Sequence, residues 1–144
     1  MGQRLRADRM VDADPQHLIE ADVARSRMRI ETAPVLIFVL LTMEDMDSYP
    51  DAKRQSSELT MSVQSTAMAT QNLLLAAHAE GLGTCIMCAP LFCPATVLSE
   101  LQLPSHWVPQ FMVAMGHPQT DRVRKGRRPV DDVVRVLGAR QMAV

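Results

Sequence analysis

Aromatic residues are scarce. Three Phe, one Tyr and one Trp make up 3% of 144 residues. That is too few for the stacking platforms on which single-stranded nucleic acids bind. An excess of one charge is also missing. The formal net charge is −1, so there is no electrostatic footprint for nucleic acid or for an anionic membrane. Long hydrophobic runs are absent too. The strongest, Ala33–Leu41, is far short of the ~20 residues that span a bilayer. The N-terminal MGQRLRADRM has no apolar segment of the kind a secretory signal needs. Cysteine occurs three times, an odd number that suggests no disulfide framework. By default these absences point to a cytoplasmic location. The length suits one domain with a sizeable core, spanning 1–144.

What is present is one stretch around which the rest is arranged. Glu58–Glu80 contains neither Gly nor Pro and is rich in Ala, Leu, Met and Gln, all good helix formers. Ser56 or Ser57 is expected to cap its start, and Gly81 to stop it at the C′ position. Met61, Met68 and Leu75 recur every seven residues, and Ser62, Ala69 and Ala76 form a row of small side chains. From Leu59 to Ala79 there is no formal charge. A surface helix would carry a broad charged face. This helix is therefore expected to be buried nearly all round, in a core or against a second copy of the chain. The shortness of the chain favours a subunit interface.

Around it, Met1–Pro15 reads as loop or the ragged end of another element, and Gln16–Arg29 as a helix with Leu18, Ile19, Val23 and Met28 inward. Pro34–Leu41 reads as a central strand covered on both faces. Thr84–Cys88 is a short strand, Ala89–Pro94 a loop, and Pro94 opens a helix over Ala95–Leu101. Val108–Met115 is a second buried strand, with Pro109 at its start where an N–H is dispensable. Asp121–Arg128 is a basic exposed loop, and Val130–Leu137 is a last strand or short helix. The fold class is α+β, a sheet flanked by helices with a long buried central helix.

Few clusters point to chemistry. Cys85, Cys88 and Cys93 form C-x2-C-x4-C, but a structural zinc needs four ligands and no histidine lies within the cluster. Packing is the expected role, and no metal is expected. His78 is expected to be a hydrogen-bonded helix residue, and His106 and His117 lie in turns beside prolines. No catalytic residue is assigned. The one dense basic stretch is Arg122, Arg124, Lys125, Arg127 and Arg128. It is either a solvated loop or an anion clamp, since guanidinium forks suit phosphate geometry.

The order and spacing of several short motifs resemble the nitroreductase family of flavin enzymes. They are Ala33-Pro34-Val35, Gln71-Asn72-Leu73-Leu74, Gly81-Leu82-Gly83-Thr84-Cys85, Leu103-Pro104-x-x-Trp107, Val113-Ala114-Met115-Gly116-His117-Pro118 and Gly126-Arg127-Arg128-Pro129-Val130. Tyr49-Pro50-Asp51 and Leu91-Phe92-Cys93-Pro94 look closest to the flavin domain at the C-terminus of the deazaflavin-coenzyme glutamyl ligase. The resemblance implies an FMN-binding homodimer whose long helices, here Glu58–Glu80, pack across the two-fold axis. It implies hydride transfer from NAD(P)H, or with a deazaflavin as redox partner, to an electron-poor small-molecule acceptor. Cys88, Ala89, Pro90 and Leu91 would border the isoalloxazine. Arg127 or Arg128, with Lys125, would hold the FMN phosphate.

The family's opening Arg-x-Ser-x-Arg helix, which grips the phosphate and ribityl chain, has no counterpart in Met1–Arg29. Arg4, Arg6 and Arg9 do not reproduce it. The chain is therefore expected to begin where the family is already under way. The rival expectation is a dimeric remnant or binding domain with a weakened or lost flavin site and no turnover.

Overall fold

The computed structural model describes residues 2–119 and 126–135. Its elements follow the order α1 (Gly2–Val11), α2 (Gln16–Glu31), β1 (Val35–Leu41), α3 (Ala52–Ala79), β2 (Gly83–Met87), α4 (Pro94–Glu100) and β3 (Val108–Gly116). The strands form one antiparallel sheet in the order β1-β3-β2. This is the expected α+β fold, though three local expectations need correction.

The first concerns the strands. β3 is the central strand and β1 an edge strand, not the centre. An unbroken apolar run says that a strand is shielded but not which neighbours shield it. β3 is covered on both faces in its middle, where Met112 and Val113 are almost wholly buried. Pro109 is accommodated by an irregularity. Val39 pairs with Phe111 and Leu40 with Pro109, so Gln110 is an extra residue on β3. A strand bulge tolerates a nitrogen that cannot donate. The buried Gln110 amide turns back to the Val108 and Pro109 carbonyls, at 3.4 Å each.

The second correction concerns the N-terminus. Residues read as loop or a ragged end form α1, which packs on α2. Arg6 spans the pair with two bonds of 2.7 Å to the Glu20 carboxylate. Arg4 and Asp8, one turn apart, add a 3.0 Å ion pair. α2 buries Ile19 and Val23 as expected, whereas Leu18 and Met28 are exposed.

The third concerns α3. It starts at Ala52, and its cap is Asp51, not Ser56 or Ser57. The Asp51 carboxylate accepts a 2.9 Å bond from the Arg54 backbone N–H. The C-terminus matches expectation. Gly81 has φ +75°, Leu82 N–H donates to the Ala77 carbonyl (2.9 Å) and Gly81 N–H to that of His78 (3.0 Å). This is a Schellman stop. Within one chain α3 is not buried all round. It buries Glu58, Ser62, Thr70 and Ala77, while Met61, Met68 and Leu75 are 49%, 62% and 57% exposed. On the buried flank the hydroxyls of Ser62, Thr66 and Thr70 each donate to the carbonyl four residues earlier, at 2.8–3.0 Å.

Beyond β3, Val130–Asp132 forms a single 3₁₀ turn, the short-helix alternative at the start of the expected element. Residues 136 and 137 of that expected element lie outside the described residues.

Candidate functional site

β2 carries the chain across the sheet to Cys88. There the expected loop tightens into a 3₁₀ turn over Ala89–Phe92. Pro90 is almost wholly buried and pins this turn against β3, while Leu91 and Phe92 are 48% and 68% exposed. The Cys93 thiol, buried behind it, donates to the Ala89 carbonyl at 3.4 Å. The sequence thus builds a rigid ledge whose outer side chains are free of the core.

A cavity of about 840 Å³ lies against this ledge. Cys88, Ala89 and Phe92 form part of its wall, together with Ile86 and Met112 from the sheet. α1 and α2 close the other side and bring Arg4, Arg6, Arg9, Arg27 and Arg29 into its lining. The cavity therefore joins an apolar wall to a polar one rich in guanidinium groups. Most of those groups already have partners. Arg4 pairs with Asp8, Arg6 with Glu20, Arg9 with Asp14 and Asp22, and Arg27 with Glu31. The hydrogen bond from Arg6 holds the Glu20 carboxyl below the usual carboxylate range.

Of the residues singled out from sequence, Cys88 and Ala89 line this cavity, Pro90 is packed beneath them, and Leu91 is exposed on the same turn. Arg127 and Arg128 are exposed and do not line this cavity. Lys125, Arg122 and Arg124 lie outside the described residues. Cys85 sits on β2, away from Cys88 and Cys93, and lines a different cavity. Among the described residues no group of three or more His, Cys, Asp or Glu is placed to hold a metal.

Two contributions escaped the sequence reading. One is α1, which delivers arginines to the ledge. Its signal was the four-residue spacing of Arg4 and Asp8, which marks a solvated helix. The other is the meeting of His78 and His117 at the far end of the sheet, where both line a second cavity. That meeting depends on the antiparallel pairing of Gly83 with Gly116, which no local pattern reveals.

The arrangement has relatives. A putative nitroreductase in complex with FMN from Desulfovibrio desulfuricans is 30% identical. The match has a TM-score of 0.59 and covers 73% of this chain and 55% of that one. The NADPH:FMN oxidoreductase from Vibrio harveyi complexed with NAD+ is 24% identical, with a TM-score of 0.59 over 79% and 50% of the two chains. The NfrA1 nitroreductase from B. subtilis shares the fold at 22% identity, with a TM-score of 0.63 over 77% and 48%. The chain spans about half the length of each of these structures. The model of the nitroreductase family matches residues 5–117. Because that match runs from within α1 through β2 and the Cys88–Phe92 ledge to the end of β3, the chain belongs to the nitroreductase family.

Proposed function

We propose that the chain is an FMN-dependent oxidoreductase of nitroreductase type, a single domain working as a cytoplasmic homodimer on a small electron-poor substrate. The observation that carries this reading is the cavity against Cys88 and Ala89. Its volume falls within the usual 300–1,000 Å³ of small-molecule sites. An apolar sheet wall suits a flat ring. The FMN-bound Desulfovibrio relative and the NADPH:FMN oxidoreductase from Vibrio support the choice of cofactor.

When bound, FMN supplies the hydride transfer from NAD(P)H or another donor to the acceptor. The protein's part is to bind, orient and exclude water. The Cys88–Leu91 turn borders the ring, and Ile86, Phe92 and Met112 supply the apolar wall. Arg127 or Arg128, with Lys125, takes the phosphate. Of the cavity's own arginines, Arg4, Arg6, Arg9 and Arg27 are less suited, because each already faces a carboxylate, and Arg29 alone has no ion pair among the described residues. Within the family we place the chain nearest the flavin domain of the deazaflavin-coenzyme glutamyl ligase, on Tyr49-Pro50-Asp51 and Leu91-Phe92-Cys93-Pro94. That placement makes a deazaflavin the alternative redox partner to NAD(P)H. The dimer reading rests on the exposed Met61, Met68 and Leu75 of α3.

The paired state of four of the cavity's five arginines favours a second reading, a dimeric binding domain with a weakened flavin site and no turnover. Titration with FMN separates the two. A charge-assisted bond contributes about 1.5–3 kcal/mol. Arg127→Ala or Arg128→Ala is therefore expected to weaken FMN binding by about 10- to 150-fold while riboflavin binding is unchanged. Unchanged FMN affinity in both variants would remove the phosphate role. A folded dimer that binds no flavin would establish the second reading.

A further inference from the structure

The starts of β1 and β2 and the end of β3 meet at the end of the sheet opposite Cys88, because Val35 pairs with Met115 and Gly83 with Gly116. A cavity of about 760 Å³ opens there. Gly83 to Cys88 is roughly 16 Å along an extended strand, so this cavity is distinct from the one at the ledge. Its floor is tightly built. A Cβ on Gly116 would come within 2.8 Å of the Pro34 ring, and one on Gly83 within 3.3 Å of Pro118.

We propose that this cavity is a second binding site, for a small anion with an apolar body such as an aryl or alkyl phosphate or carboxylate. Three observations carry it. First, among the described residues the lining holds Arg29, His78 and His117 and no acidic side chain, whereas the ledge cavity includes Asp8 and Asp12. Second, every other arginine of α1, α2 and the start of α3 is ion-paired, and Arg29 has no ion pair among the described residues. Third, Pro34, Leu82, Met115 and Pro118 give the remaining wall an apolar character that suits a hydrocarbon body. Arg29 and His78 sit in the last turns of α2 and α3, where cationic groups also offset helix dipoles. His117 follows β3 and has no such role, yet it lines the same cavity. Each imidazole offers an N–H donor even when neutral.

The proposal does not rest on the flavin reading. Phenyl phosphate, with phenol as the neutral control, is titrated into the ¹⁵N-labelled full chain, and the backbone amides of Leu82, Gly83 and Gly116 are followed. Saturable shifts confined to that end of the sheet are expected, with phenol binding at least about tenfold more weakly. The double variant His78→Asn/His117→Asn is expected to lose about tenfold or more for phenyl phosphate and to keep its FMN affinity. Arg29 borders both cavities and is left intact for that reason. Equal binding of phenol, shifts centred on Cys88 and Ala89, or displacement of phenyl phosphate by FMN would each overturn the proposal. If the double variant fails to fold, His117→Gln alone gives the same readout. An unmodified protein that binds phenyl phosphate at this end of the sheet but binds no FMN would count against the flavin reading alone.

Discussion

An alanine at Gly81 would hold φ +75° with nothing within 4 Å of its new methyl group. Its cost is backbone strain alone, about 1–2 kcal/mol. An alanine at Gly116 faces the reverse situation. Its methyl would press on the Pro34 ring at 2.8 Å, and relieving that contact costs about 1–3 kcal/mol. Both substitutions are expected to lower the urea midpoint. Only Gly116→Ala should also shift the NMR signals of Pro34 and its neighbours. The two glycines differ in legibility for the same reason. Gly81 ends a helical pattern and is read from its own neighbours. Gly116 is required by a proline more than eighty positions earlier, and only the sheet pairing brings them together.

At the scale of elements, α3 begins where Asp51 caps it, and the carboxyl titrates accordingly. Its pKa is lowered, first by the bond from the Arg54 backbone N–H and then by the Arg54 side chain. A carboxyl lowered by folding stabilises the fold above its unfolded pKa. That contribution is lost as pH falls through the lower, folded value. Stability should therefore fall on acidification below the ordinary carboxylate range. Asp51→Asn should flatten the decline while lowering stability at neutral pH, as thermal melts across pH would show. The sequence reading placed the cap several residues late because Ser56, Ser57 and Glu58 also fit a helix start. Asp51 lies behind Tyr49-Pro50, where the proline favours an extended or turn conformation over a helix start. The strand order was illegible for a different reason. The apolar run Val35–Leu41 is compatible with a central strand, yet the longer β3 takes the centre because both partners pair with it.

At the scale of the whole molecule, the chain leaves large apolar side chains uncovered on several elements. Met61, Met68 and Leu75 on α3, Leu91 and Phe92 on the ledge, and Val130 and Val133 beyond β3 are all exposed. A contiguous apolar stripe on a helix marks a surface that is meant to be covered. If a second copy covers α3, arginine at Ala69 or Met68 should abolish association, because an unpaired charge in that interface costs several kcal/mol. Both positions are exposed within one chain, so the variants should stay folded as monomers. Light scattering showing the unmodified protein to be a monomer would reject the interface. The sequence reading found the uncharged helix but not which face is turned inward. Its methionine stripe points outward, and a flank with serine and threonine points inward.

That inward flank bears on how the protein can change over time. A buried hydroxyl usually binds its partner in a mutual dependence, since removing one side strands the other. Ser62, Thr66 and Thr70 are exempt. Each donates to a carbonyl of its own helix that the helical ladder already engages. Replacing any of them with alanine or valine strands nothing on the sheet, so only the fit of volumes constrains the choice. The longest helix and the sheet beneath it are therefore free to drift apart in sequence without compensating changes. Relatives of this chain should vary at 62, 66 and 70 among small residues, with no matching variation in the strands they cover.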